Sequence, residues 1–73
     1  MYVIIAGGGL VGSSLAGRLA DSHHDVVVID SDKGVCERLA SSIGALVVHG
    51  TATDIDILEQ AGVRKADVAV STM

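Results

Sequence analysis

The sequence predicts an α/β fold with a parallel sheet, on three observations. Apolar runs at Tyr2 to Ala6, Val26 to Ile29 and Ala45 to Val48 show no polar alternation, as expected of strands buried on both faces. Stretches with helical spacing separate these runs: Leu10, Leu15 and Leu19 with Ala16 and Ala20 in the first, and Val35, Leu39 and Ile43 in the second. Glycines and short polar clusters mark the junctions.

A length of 73 residues bounds the chain to one small domain or part of one, because a chain this short buries only about 60 % of its unfolded surface. With 49 % hydrophobic residues, Tyr2 as the one aromatic and no proline, the core must be built from Val, Ile, Leu and Ala. A net charge of −4 with five Lys or Arg argues against a nucleic-acid or anionic-membrane partner, whose electrostatic footprint is a basic patch. Cys36 stands alone, which excludes an internal disulfide, and no Cys/His cluster supplies a metal framework. These features fit a reduced, cytoplasmic setting. No apolar run approaches the roughly 20 residues of a membrane span, so direct membrane insertion is not expected.

The first strand is stopped by Gly7-Gly8-Gly9-Leu10-Val11-Gly12. Gly7, Gly9 and Gly12 match G-x-G-x-x-G, in which the first glycine permits the turn, the second lets backbone approach a pyrophosphate, and the third lets helix and strand pack closely. Gly8 takes the variable place. The helix that follows, Leu10 to about Asp21, points its unpaired N–H groups and the positive end of its dipole at whatever anion sits over the turn, and a nucleotide phosphate is the natural occupant. His23-His24-Asp25 reads as a solvated connection. The second strand ends at Asp30, eighteen positions after Gly12. A carboxylate there accepts from both hydroxyls of an adenosine ribose and repels a 2′-phosphate.

Ser31 or Asp32 can cap the second helix, which runs to about Ser42, and Asp32 can alternatively assist Asp30 with the ribose. Cys36 sits mid-helix as a small hydrophobe. Gly44 fits the helix end, and the third strand leads to His49-Gly50-Thr51-Ala52 at its carboxyl end, where ligands bind in open α/β sheets. Thr53 is read as the cap of a short third helix with Asp54 and Asp56 in its first turn, ended by Gly62. Val68-Ala69-Val70 forms a fourth strand, and Ser71 and Thr72 lie at its carboxyl end. The pattern is βαβαβαβ. Right-handed crossovers put the first two helices on one face and the third on the other, in spatial order 3-2-1-4, a Rossmann-like sheet whose switch point lies above the glycine turn.

With these residues in view, the chain resembles the N-terminal nucleotide-binding domain of Trk-type potassium-uptake regulators, also called RCK or KTN domains. The resemblance rests on Ile4 to Gly12, on Val28-Ile29-Asp30-Ser31-Asp32, and above all on Gly50-Thr51-Ala52-Thr53-Asp54 followed by Leu58, Ala61-Gly62-Val63 and Ala66-Asp67. It spans residues 1–73 and covers about the first half of the family's domain. It implies a module that binds NAD(H), or in some members ATP, ADP or AMP, on the cytoplasmic side of a potassium channel or transporter, and that assembles as dimers or rings. By the same resemblance the glycine turn approaches the phosphates and Asp30, flanked by Ser31 and Asp32, holds the adenosine ribose. Thr51 and Ala52 lie near the adenine, with Ser71 and Thr72 by the phosphate or the nicotinamide-side ribose. Thr51 stands where the family usually carries aspartate.

Three functions from different classes follow. The favoured one is a non-catalytic module in which nucleotide binding gates a membrane potassium partner. The second is an N-terminal fragment of an oxidoreductase resembling saccharopine-dehydrogenase-like enzymes, and the third a structural fragment with a degenerate site. No catalytic acid, base or nucleophile and no metal ligand stands out. Val68 and Val70, on a strand that is interior in the full Rossmann order, are expected to form an open edge, and self-association as a dimer or higher oligomer is expected through it.

Overall fold

A computed structural model describes residues 1–42, 44–51 and 53–72; Ile43, Ala52 and Met73 lie outside the described residues. The chain runs β1 (Tyr2–Ala6), α1 (Leu10–Asp21), β2 (Asp25–Asp30), α2 (Lys33–Ser42), β3 (Leu46–His49), α3 (Ile55–Gln60), a 3₁₀ turn (Val63–Lys65) and β4 (Val68–Ser71). The four strands form one parallel sheet in the order β3-β2-β1-β4. The fold is the expected Rossmann-like α/β fold.

Packing on two faces explains why the strands lack polar alternation. Along β1, Val3 and Ile5 join Val26 and Val28 of β2 under Ala16 of α1 and Leu39 of α2, whereas Ile4 joins Val27, Ile29 and Ala61 on the α3 side. Each face therefore draws every second residue, and both draws are apolar. Ile4, Ile5, Val28 and Ile29 are fully buried, and each such side chain stabilises the fold by about 1.5–3 kcal/mol. Leu15, Leu19 and Val35 pack from the helices onto the first of these clusters.

The helix signals resolve with small shifts. Asp32 caps α2, its Oδ1 accepting from the amides of Gly34 at 2.8 Å and Val35 at 3.2 Å. For α3 the cap is Asp54 rather than the expected Thr53, because the Asp54 carboxylate reaches the Asp56 amide at 2.9 Å. Thr53 is occupied instead with Thr51, hydroxyl to hydroxyl at 3.0 Å. β3 starts one residue later than the apolar run and includes His49, whose register partner is Asp30. Leu10 does not share the inward stripe of Leu15 and Leu19; it is 85 % exposed at the first turn of α1. Tyr2 packs on the α3 side and donates its hydroxyl to the Ala61 carbonyl. Gly62 beside it has φ 81°, and a Cβ there would lie 2.6 Å from the Tyr2 hydroxyl.

In a parallel sheet all carboxyl ends lie together, and backbone bonds carry the pairing one step beyond the strands. The Gly7 amide donates to the Ile29 carbonyl at 2.8 Å, that of Gly50 to Asp30 at 2.9 Å, and that of Thr72 to Ala6 at 2.9 Å. The glycine turn, Asp30, the segment after β3 and the end of β4 are brought to one edge in this way.

Candidate functional site

The site is built around the turn from β1 into α1. Gly7 adopts φ 110°, a left-handed conformation that a residue with a Cβ rarely takes, and the chain reverses there. Gly12, in the first turn of α1, is buried against it: a Cβ on Gly12 would lie 1.9 Å from the Gly7 carbonyl oxygen and 2.8 Å from the Thr72 hydroxyl. The absence of that Cβ lets α1 sit close over β1. Gly9 is the opposite case. It is the N-cap of α1, offers no side-chain capping bond, and a Cβ there would meet nothing within 4 Å. The space above Gly9 is open, as a turn that receives a ligand against its backbone requires.

The first hydrogen bond of α1 runs from the Ser13 amide to the Gly9 carbonyl at 2.9 Å. The amides of Gly9, Leu10, Val11 and Gly12 have no acceptor among the described residues. No acidic residue stands in the first turn of α1, so no side chain of the helix itself offsets the positive end of its dipole. Leu10 and Val11, both exposed, form an apolar lip beside these amides.

Two side chains from the neighbouring strands reach into the turn. From β2, Asp30 accepts from the Gly8 amide through Oδ2 at 2.7 Å and from the Asp32 amide through Oδ1 at 2.8 Å. From the end of β4, the Thr72 hydroxyl lies 3.0 Å from the Gly7 carbonyl and 3.3 Å from that of Ala6, sharing its proton between them. Gly8 has no positive φ, yet it lacks room: a Cβ there would come 2.6 Å from Leu39 Cδ1 and 3.0 Å from Val35 Cγ1. The place that the motif leaves variable is thus packed against α2 in this chain.

The remaining expected residues are spread along the same edge. Ser31 is exposed, and its carbonyl is bridged by His49 Nε2 at 3.1 Å, which joins the ends of β2 and β3. Thr51 is exposed beyond β3; Ala52 lies outside the described residues. Ser71 lines an apolar cavity of about 300 Å³ on the α3 face, together with Ile4, Ala6, Leu58 and Val70. His49 belongs to the stretch expected at the ligand-binding end of the sheet, but its bridge to Ser31 is not among the expected site contacts. Its place at the end of a strand, directly before Gly50, was the available signal. Cys36 is buried beneath Asp30, with its thiol 3.4 Å from the Asp30 carbonyl oxygen. Burial, and then the negative charge of Asp30, push that thiol above its ordinary pKa.

A doubly clamped glycine turn leading into a helix start, beside a strand-end carboxylate, defines a Rossmann-type domain. Residues 3–73 match the TrkA-N domain model, and the chain belongs to that family. It is 45 % identical over 71 residues to the Trk system potassium uptake protein TrkA homolog of Methanothermobacter thermautotrophicus, covering 97 % of this chain and 33 % of that protein. To the Trk system potassium uptake protein TrkA of Streptomyces coelicolor it is 44 % identical over 66 residues, 90 % of this chain and 30 % of the relative. A stretch of the glutathione-regulated potassium-efflux system protein KefC of Cronobacter sakazakii is 44 % identical over 72 residues, 97 % of this chain and 11 % of that protein. The chain thus spans about a third or less of the length of these relatives.

Proposed function

We propose that residues 1–73 act as the nucleotide-binding part of a non-catalytic regulatory module in a potassium transport system, with NAD(H) or an adenine nucleotide such as ATP, ADP or AMP as ligand. The observation that carries this reading is the turn itself, with the amides of Gly9 to Gly12 lacking acceptors among the described residues, open space above Gly9, and Asp30 beside them. Those donors suit a phosphate group. The Asp30 carboxylate keeps lone pairs beyond the two it gives to backbone, and these suit ribose hydroxyls.

The regulatory role is supported by the company the stretch keeps. Relatives named for potassium uptake and for potassium efflux share it, so what they have in common is not what sets the direction of transport. A switchable binding module attached to different transport machinery accounts for that. The partner is a membrane potassium transporter or channel subunit, and the module works in the cytoplasm at the inner face of the membrane. No helix among the described residues is long and apolar enough to cross a membrane. Self-association through the outer edge of β4, where Val68 is 40 % exposed, belongs to the same reading.

Mass spectrometry of ligand released from freshly purified, denatured protein tests the nucleotide directly, followed by calorimetric titration with NAD, NADH, ATP, ADP and AMP. An adenine nucleotide is expected in the released fraction and in at least one titration. Failure of all five to bind would overturn the proposal.

A further inference from the structure

The Gly8 amide is taken up by a side chain of the protein itself. Gly8 is buried between the turn and α2, and its N–H meets Asp30 Oδ2 at 2.7 Å. The other carboxylate oxygen holds the Asp32 amide at 2.8 Å, so a single side chain joins the glycine turn to the loop that opens α2. A bond from an amide to an ionised carboxylate belongs to the stronger class of hydrogen bonds.

We propose that Asp30 is a positioning residue for the phosphate turn, in addition to its expected contact with ribose. By gripping Gly8 it fixes the backbone on either side, and with it the direction of the Gly9 to Gly12 amides, which have no acceptor among the described residues. This inference rests on the nucleotide reading above. A carboxylate that served ribose alone would behave differently, and the two roles have opposite signs for a ligand without ribose hydroxyls. Deleting a negative charge near a phosphate relieves repulsion, so a ribose-only Asp30 predicts that such a ligand binds an Asp30→Ala variant equally well or better. A positioning Asp30 predicts that it binds worse, because the donors lose their common aim.

The test is calorimetric titration of the parent chain, Asp30→Asn and Asp30→Ala with ADP and with 2′,3′-dideoxy-ADP, together with amide hydrogen exchange at Gly8 in the ligand-free proteins. For dideoxy-ADP the Ala variant is expected to lose about tenfold in affinity, as removal of a hydrogen bond to a charged group implies. The Asn variant loses less, since its carbonyl oxygen still accepts from Gly8. Exchange at Gly8 is expected to quicken about tenfold in the Ala variant while the β1 amides keep their rates. Dideoxy-ADP binding as tight as the parent's, or tighter, would overturn the proposal, as would unchanged exchange at Gly8. Should the Ala variant fail to fold, Asp30→Leu, which has about the shape of aspartate but no acceptor, decides: severalfold weaker binding of dideoxy-ADP supports positioning, and equal or tighter binding refutes it. A parent chain that binds none of the five nucleotides named above overturns the nucleotide reading instead, and unchanged Gly8 exchange in Asp30→Ala then overturns the grip of Asp30 on the turn.

Discussion

The carbonyl oxygen of Gly7 fills the space into which a side chain on Gly12 would project, 1.9 Å from the position of its Cβ. The obstacle is backbone, held in turn by the Thr72 hydroxyl, so it cannot swing aside as the tip of a side chain can.

Gly12→Ala is therefore expected to be the most damaging small substitution in the turn. The helix must lift from β1, at a cost at the upper end of the roughly 1–3 kcal/mol typical of overpacking. Urea denaturation followed by circular dichroism measures it, and a loss below about 0.5 kcal/mol would contradict the geometry.

Gly8 and Gly9 should separate folding from binding. Gly8→Ala forces Leu39 from its place and is expected to cost about 1–2 kcal/mol, whereas a Cβ on Gly9 meets no atom within 4 Å, so Gly9→Val should cost no more than about 1 kcal/mol through the poorer N-cap. In nucleotide binding the order reverses. Gly9→Val fills the open space and abolishes it, and calorimetry on the folded variant would show undiminished affinity only if phosphate does not occupy that space.

Ligand choice depends on Asp30. NAD(H) should bind at least about tenfold more tightly than NADP(H), a difference of about 1.4 kcal/mol, because the carboxylate accepts from a 2′-hydroxyl and repels a 2′-phosphate. Equal affinities in parallel titrations would remove Asp30 from the ribose position.

Cys36 should be a slow thiol. Burial and the charge of Asp30 raise its pKa, so the thiolate is scarcer at pH 8 than for a free cysteine, and reactivity should climb only at higher pH. Labelling with a disulfide reagent is expected to run at least about tenfold slower in the native chain than in urea; equal rates would mean that the thiol is accessible.

The outer edge of β4 should pair. Among the described residues β4 bonds only to β1, and Val3 and Ile5 are the register partners of Val68 and Val70. Sedimentation equilibrium at low micromolar concentration is expected to show a dimer or higher oligomer, and replacing Val68 and Val70 by Lys should return it to monomer. A well-folded parent monomer would refute this.

Local signals were legible in the sequence; distant neighbours were not. The span of α1 from Leu10 to Asp21 and the strand order follow from periodicity and from the handedness of crossovers. The choice between Thr53 and Asp54 as cap did not, because both residue types cap helices and only the bond to Asp56 distinguishes them. Nothing near Gly8 in the chain shows that Leu39 crowds it. The motif likewise identifies glycines that a phosphate can approach, but the bond from Thr72 to Gly7 and the bridge from His49 to Ser31 arise only when strands remote in sequence come together.

Those remote bonds also bear on the order in which the molecule assembles. Asp30 lies 22 residues from its contact at Gly8, and Thr72 lies 65 residues from its contact at Gly7. Closing the longer of these loops carries the larger entropic penalty, so β4 is expected to dock after β1 and β2 have paired. A nascent chain that has emerged only as far as α2 already contains all the glycines of the turn but lacks the hydroxyl that steadies Gly7. Nucleotide affinity should then appear late, with the docking of β4. Any ligand that selects the finished turn stabilises the whole sheet by mass action, including strands it never touches.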